Sequence, residues 1–314
     1  MENVNINSIK RKNTTDKIVK NIFLAFTVIC SLVIVFIVLF ISIKGFTPFI
    51  KRYEINGSYY SVGLGKFLFG NTWYKSPNVY GAGFVIINTI YITLLALLLS
   101  IPISIFTALF ISKIAPVWLS KTLNTILELL ASIPSIIYGL FGAGIITKMV
   151  KNMSSAVGFQ SAGGQSALSA AIVLAMMILP TITIVAVTAL NAVKKDLELG
   201  SLALGASKTQ TNFKVVLTAA KSGIFSGIIL GVGRALGEAT AVSMVIGNKG
   251  SGPTLNIFDT SRTLTSTMLL GIHETTGMDY DIRFSVGILL IIIILVTNIL
   301  LNIVKNRIGR SNGK

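Results

Sequence analysis

An arginine and a glutamate stand four residues apart in an otherwise uncharged stretch of this sequence. The segment GVGRALGEAT places Arg234 and Glu238 between the apolar runs SGIFSGIIL and AVSMVIG. On one helix, residues four apart share a face, so the two side chains can pair. A guanidinium can also grip two oxygens of an oxyanion at once. Because neither charge can face lipid cheaply, we expect both to face the protein interior or a water-filled path.

A second carboxylate stands alone in a long apolar run. Glu128 is the only charge between Lys121 and Lys148. A carboxylate at membrane depth is costly unless it is paired or near water, which favours a place beside the same path. Because the run starts only at residue 122, a position at the membrane interface is the alternative.

Small residues recur at every fourth position around the arginine. On a helix this spacing produces a ridge that permits close approach of another helix. The predicted helix-packing residues are Gly223, Gly227, Gly231, Ala235 and Ala239.

The composition is that of a membrane protein with several spans. Charged residues make up 12% of the 314 residues, about half of the roughly 25% in average soluble domains. The mean hydropathy is +0.79. The net charge of +16 is spread over several short loops, which favours cytoplasmic loops near anionic lipid and argues against nucleic-acid binding. With Cys30 and His273 as the only residues of their types, no Cys/His metal site is expected.

Six apolar runs are long enough to cross a bilayer, which needs about 20 residues per helix. Lysine and arginine counts favour both termini in the cytoplasm, and the loop 191–222 alone carries five lysines. Prolines inside the second, third and fourth runs predict kinks. The predicted spans are 22–43, 84–112, 122–147, 166–190, 223–246 and 284–304. The predicted organisation is a disordered cytoplasmic tail 1–20, a first transmembrane helix 21–44, an extracytoplasmic segment 45–83, a five-helix core 84–306 with the cytoplasmic loop 191–222, and a cytoplasmic tail 307–314.

No nucleotide site or catalytic constellation accompanies these spans. The sequence has no G-x-x-x-x-G-K-[ST] loop, and the glycines of GVGRALG are wrongly spaced for a dinucleotide fingerprint. It also lacks H-E-x-x-H and a plausible triad. We therefore expect a transport subunit that is not itself an enzyme, with ATP hydrolysis carried out by a separate partner.

The segment 196–224, DLELGSLALGASKTQTNFKVVLTAAKSGI, predicts two short helices with a break near Gly205. It resembles the coupling-loop signature of ABC importer permeases, E-A-A-x-x-x-G followed after nine residues by I-x-L-P. In that register Leu199 stands at the glutamate position and Thr218 at the proline position. The resemblance implies that the break contacts an ATPase. The predicted coupling residues are Glu198, Ser201, Ala203, Gly205, Ala206, Ser207 and Leu217.

Three further stretches resemble the PstC-type permease family of phosphate ABC transporters. They are LELLASIPSIIYGLFG, GVGRALGEATAVSMVIGN and LFGNTWYKSPNVYGAG, and with the loop the resemblance covers about residues 60–306. It implies an all-α integral membrane protein with six transmembrane helices of the type I ABC importer permease fold. It also implies a multi-pass protein of a bacterial or archaeal cell (inner) membrane that translocates inorganic phosphate along a path containing Arg234, Glu238 and Glu128.

The same resemblance implies three protein partners. These are a PstA-type second permease, a PstB-type ATPase dimer and an external PstS-type phosphate-binding protein. ATP and magnesium would be bound by the ATPase, with no cofactor in this chain, and the small-residue ridge would meet the second permease. A permease for phosphonate, sulfate or molybdate is an alternative function, and a membrane receptor or scaffold without transport is another.

Overall fold

Long apolar helices dominate the structure, a computed structural model that describes residues 6–55, 57–75 and 78–310. In the first half of the chain, two small antiparallel hairpins separate the first two long helices. Two short π-helical turns, Phe110–Ile114 and Gly142–Ile146, continue from the α-helices that precede them. The elements are α1 (Ile6–Ile50), β1 (Tyr53–Ile55), β2 (Ser58–Tyr60), α2 (Leu64–Phe69), β3 (Trp73–Tyr74), β4 (Val79–Tyr80), α3 (Gly83–Leu109), α4 (Val117–Ser132), α5 (Ser135–Phe141) and α6 (Thr147–Ala156).

The second half of the chain contains the most buried helix and ends in another long one. A π-type turn, Thr211–Val216, joins two of its helices without interrupting them, and a 3-10 turn lies at Ile272–Glu274. The elements are α7 (Ala167–Asn191), α8 (Lys195–Ala203), α9 (Lys208–Gln210), α10 (Leu217–Gly237), α11 (Thr240–Val245), α12 (Leu264–Leu269) and α13 (Gly277–Arg310).

The described helices provide five membrane spans, or six if one bent pair is a single span. The predicted runs 22–43, 84–112 and 284–304 each fall within a long helix, and the run 166–190 lies within α7 except for its first residue, the N-cap Ser166. Pro102 and Pro180 lie inside α3 and α7 without ending them.

The third span is sharply bent, which the sequence predicted only as a kink. α4 and the helix 135–156 meet at 92° across Ile133 and Pro134. Ile133 is extended, with φ −63° and ψ 127°. Proline has no N–H to donate and disfavours helical geometry in the residue before it, so the helix stops and restarts here.

The fifth span is displaced from its predicted position, 223–246. A continuous helix runs over Lys208–Gly237 and then breaks, because Glu238 is extended with ψ 120° and a new short helix, α11, follows. The apolar run 223–246 therefore covers the last part of α10 and the short helix α11, and it does not form a single helix.

The N-terminal tail was also predicted wrongly in part. Residues 6–20 continue α1 as helix instead of forming a disordered tail, since no glycine or proline interrupts the chain before Gly45. Residues 1–5 of that tail lie outside the described residues, as do residues 311–314 of the predicted C-terminal tail, whose residues 307–310 belong to α13.

Irregular segments gather at one end of the bundle, which we call the loop end (residues 51–82, 157–166 and 246–276). The start of α7 is bonded there, with Leu168 N donating to Ile257 O at 2.8 Å. The hairpin β3–β4 joins the same region through Trp73 N and Gly250 O at 2.7 Å. The segment 191–210 lies at the opposite, coupling end, because α7 leads from one end to the other.

α7 forms the centre of the bundle and packs against α3, α4 and α10. Three glycines of α10, Gly223, Gly227 and Gly231, face it directly. A Cβ on Gly223 would lie 2.6 Å from Ala189 Cβ, and one on Gly231 would lie 2.8 Å from Ile182 Cδ1. The predicted small-residue ridge is thus a packing surface at these glycines, but it meets α7 of the same chain and not a sister subunit.

We expect opposite outcomes for two glycines of α10. Gly223→Ala should lower the unfolding midpoint of the purified subunit in detergent, because overpacking costs about 1–3 kcal/mol against a gain of about 1 kcal/mol in helix propensity. Gly233→Ala is the matched control, since a Cβ there meets nothing within 4 Å. Equal midpoints for the two variants would contradict the packing of α10 on α7.

Cysteine labelling should establish the topology and decide whether the bent third pair crosses the membrane. Cysteines at Tyr60 and Lys208, both exposed, are introduced after replacing Cys30, the one native cysteine. An impermeant maleimide should label position 60 in intact cells and position 208 only after permeabilisation. Positions 60 and 208 are separated by three membrane crossings if the bent pair crosses the membrane, and by two if it does not. Labelling of both positions from the same side would therefore contradict the six-span topology.

Candidate functional site

Arg234 lies where three helical elements meet. Its Nη1 donates to Thr181 Oγ1 of α7 at 2.9 Å, and its side chain is half-buried. Tyr138 of α5 is close enough for its hydroxyl to interact electrostatically with the Arg234 charge. Because that hydroxyl also donates to Leu130 O of α4 at 2.9 Å, the arginine lies beside the break in the third span.

Glu238 does not pair with Arg234, contrary to the prediction from their spacing. Among the described residues, no ion pair joins them. α10 ends at Gly237, so the two side chains no longer share a helical face. Glu238 Oε1 instead accepts from Ala241 N at 2.9 Å, and Glu238 O accepts from Thr265 Oγ1 at 2.7 Å. The glutamate therefore fixes the junction between α10 and α11.

Glu128 is exposed on α4, five residues before Ile133 at the break of the third span. The structure brings α4 next to Arg234 only through Tyr138 and Leu130, and no contact between the two charged side chains is found among the described residues. A place for Glu128 on a translocation path stays a prediction. In the part of the chain that the structure describes, no three His, Cys, Asp or Glu side chains are grouped to hold a metal ion.

The segment at the coupling end has the predicted break. Gly205 has φ +85°, a left-handed conformation that glycine adopts without steric cost. Ser207 then begins α9 with a reciprocal cap: Gln210 N donates to Ser207 Oγ at 3.2 Å, and Ser207 N donates to Gln210 Oε1 at 2.9 Å. The turn between α8 and α9 is therefore locally encoded.

Besides Ser207, two more of the predicted coupling residues bond within the chain through their side chains. Glu198 forms an ion pair with Lys113, and Ser201 Oγ lies 2.9 Å from Thr211 Oγ1. The first contact ties α8 to the end of the second span, and the second ties α8 to the helix that follows the turn. In the sequence, Lys113 is simply the charge that follows the apolar run 84–112. Its partner, Glu198, lies 85 residues further along the chain.

The turn itself presents an apolar side chain outward. Leu204 is 91% exposed, and sequence reasoning did not single it out. Of the other predicted coupling residues, Ala203, Gly205 and Ser207 are exposed, Ala206 is half-buried, and Leu217 packs against the helical core.

Thr181 and Thr265 are the polar contacts of the site that the sequence did not reveal. Thr181 follows Pro180 in an uncharged run, and Thr265 lies in a polar loop. Neither position carries a local signal. Both become recognisable only through their bonds to Arg234 and to Glu238 O.

Comparisons with known proteins agree with this architecture. The chain is 34% identical over 275 residues to the probable ABC transporter permease protein YqgH of Bacillus subtilis, covering 86% of this chain and 84% of that protein. It is 32% identical over 262 residues to the phosphate transport system permease protein PstC of Pasteurella multocida, covering 79% and 82%.

Solved structures show the same fold. One chain of a bacterial ABC transporter involved in the import of the acidic polysaccharide alginate matches with a TM-score of 0.61 at 18% identity, covering 94% of this chain and 99% of that chain. The model of the family described as binding-protein-dependent transport system inner membrane component matches residues 100–313. This chain therefore belongs to the family of inner-membrane components of binding-protein-dependent transport systems, as a multi-pass ABC transporter permease.

Proposed function

We propose that this chain is the membrane-spanning permease subunit of an ATP-driven importer of inorganic phosphate. The observation that carries the proposal is the half-buried Arg234, whose hydrogen-bond partner, Thr181, is neutral. Because Glu238 does not pair with it and no ion pair involves it among the described residues, the guanidinium can offer donors to an oxyanion. The PstC proteins similar to this chain are named as phosphate transport permeases, which supports phosphate as that oxyanion.

Each residue of the site has a distinct part in the proposed transport. Arg234 binds phosphate transiently, and Thr181 orients the guanidinium from α7. Glu238 holds the junction at which α10 ends, so that the arginine stands at the edge of an irregular segment. Non-helical backbone at membrane depth is tolerated where it is buried in protein or lines a water-filled cavity, which fits a path for an ion.

The proposed complex needs partners on both sides of the membrane. An external PstS-type binding protein delivers phosphate at the loop end, and a PstA-type permease completes the path. A PstB-type ATPase dimer, which binds ATP and magnesium, docks at the turn around Gly205. Both termini are then cytoplasmic, in a bacterial or archaeal cell membrane. A structural neighbour in complex with a substrate-loaded periplasmic protein supports delivery from outside.

Substitution of the arginine should abolish phosphate uptake without preventing assembly. Arg234→Gln removes the charge, whereas Arg234→Lys should restore uptake only in part, since an ammonium cannot form the bidentate fork. Thr181→Val should lower uptake several-fold by releasing the guanidinium. Phosphate uptake in proteoliposomes containing the whole complex and the binding protein measures all three, with sulfate uptake measured in parallel.

Glu238→Gln is the control for that series. The amide oxygen can still accept from Ala241 N, so the junction is kept while the charge is lost. Retained uptake in Glu238→Gln would assign the glutamate to the junction alone. Normal uptake in Arg234→Gln would overturn the proposed role of the arginine, and sulfate uptake exceeding phosphate uptake would overturn the proposed substrate.

The exposed leucine of the turn should be required for the ATPase to bind. Leu204→Ser removes the apolar side chain that projects from the coupling end, so co-purification of the ATPase should fall at least tenfold while the subunit still folds. Leu64→Ser is the matched control, since Leu64 is an exposed leucine on α2 at the opposite end. Undiminished ATPase binding in Leu204→Ser would remove this turn from the interface.

A further inference from the structure

Two arginines are buried together at the loop end, away from Arg234. Arg262 is 7% exposed and Arg283 is 6% exposed. Both line an open cavity of 280 Å³, with Trp73, Lys75 and Asp279 among the other lining residues. Buried arginines are rare unless paired, so their partners need to be accounted for.

Arg283 is held by its own chain. Its Nη1 donates to Thr267 O at 2.8 Å and also to Leu270 O. Its Nη2 lies 3.7 Å from Asp279 Oδ2, which makes an ion pair. The one buried carboxylate of the cavity is thus committed to Arg283, although both oxygens of Asp279 lack a hydrogen-bond partner among the described residues.

Arg262 has no such support. No ion pair involves it in the part of the chain that the structure describes, and its buried Nε has no hydrogen-bond partner there. Burial and the neighbouring Arg283 guanidinium lower the pKa of Arg262 to about 10, although the Asp279 carboxylate opposes them, so Arg262 remains a cation at neutral pH. A buried guanidinium is costly when its Nε has no hydrogen-bond partner and the nearby carboxylate, Asp279, is already ion-paired to Arg283, which indicates that an anion completes the site.

The remaining charges of the cavity do not supply that anion. Lys75 and Glu274 are both exposed at its rim and offset each other in charge. With Asp279 paired to Arg283, one positive charge is left over, and it belongs to Arg262. The excess and the open mouth favour a small, mobile oxyanion, because a guanidinium matches two oxygens of such an ion.

We propose that Arg262 and Arg283 form a second binding site, for a tetrahedral phosphate group, at the loop end of the subunit. Thr265, three residues after Arg262, donates to Glu238 O, so this site adjoins the junction at the end of α10. This inference rests on the proposed function, in which phosphate moves inward and would therefore reach this site before Arg234. The phosphate group has two possible sources, free inorganic phosphate and a lipid headgroup, since the cavity borders the start of α13.

The test uses the whole transporter complex without its binding protein, in an Arg234→Gln background that removes the other arginine site. Binding of radiolabelled inorganic phosphate is measured in phospholipid-free neutral detergent, with chloride keeping the ionic strength constant. Arg262→Gln should weaken this binding at least tenfold. Arg52→Gln, which removes an exposed arginine outside the cavity, is the matched control and should leave binding unchanged.

A lipid arm distinguishes the two sources. If free phosphate does not bind in detergent, but phosphatidylglycerol co-purifies from mixed nanodiscs in amounts that fall with Arg262→Gln and not with Arg52→Gln, the headgroup is the ligand. Binding of phosphate and retention of lipid that are both unaffected by Arg262→Gln would overturn the site.

Stability provides a second readout. Without phosphate, Arg262→Gln should unfold at the same or a higher temperature, because it removes a buried charge whose Nε has no hydrogen-bond partner among the described residues. Added phosphate should then stabilise it less than the parent. A lower midpoint together with unchanged phosphate stabilisation would show a purely structural arginine and overturn the inference. Uptake of phosphate by the otherwise unmutated complex tests the proposed function separately, so the two can fail independently.

Discussion

The close contact between α7 and α10 is the constraint on which the placement of the charged residues depends. At Gly223 and Gly231 the absence of a Cβ lets α10 approach Ala189 and Ile182 of α7. At this separation Arg234 reaches Thr181 with a 2.9 Å hydrogen bond. Association of helices within lipid lacks a hydrophobic driving force and relies on close packing and polar bonds, and this pair of helices uses both.

The two helix breaks of the bundle lie beside the same arginine, and a side chain stabilises each of them. Tyr138 donates to Leu130 O across the bend of the third span. Glu238 accepts from Ala241 N after the end of α10, and Thr265 donates to its carbonyl. Backbone groups released by the breaks are thus partly satisfied from within the protein, as a membrane interior requires. The irregular segments are therefore specific features of the fold around Arg234.

Features encoded locally were predictable from the sequence, and those that depend on distant contacts were not. Uncharged runs located the long helices, and Gly205 with Ser207 marked the turn at the coupling end. The pairing of Arg234 with Glu238 was predicted wrongly, because spacing by four assumes a continuous helix, whereas α10 ends at Gly237, between the two residues. Lys113 and Glu198, 85 residues apart, and the polar loop residue Arg262 carried no signal of their pairing or burial.

The continuous helix Lys208–Gly237 connects the coupling end of the subunit with the surroundings of Arg234. Its 30 residues span roughly 45 Å at about 1.5 Å per residue, with the Gly205 turn before one end and Arg234 near the other. The ion pair of Glu198 with Lys113 fixes α8 to the end of the second span. The helix that precedes the Gly205 turn is therefore held in place while the helix that follows it can shift. A shift of this helix relative to α7 changes the distance between Arg234 and Thr181, because the two helices are in close contact along the glycines. In the proposed transport, an event at the coupling end would therefore alter the surroundings of Arg234 through this helix.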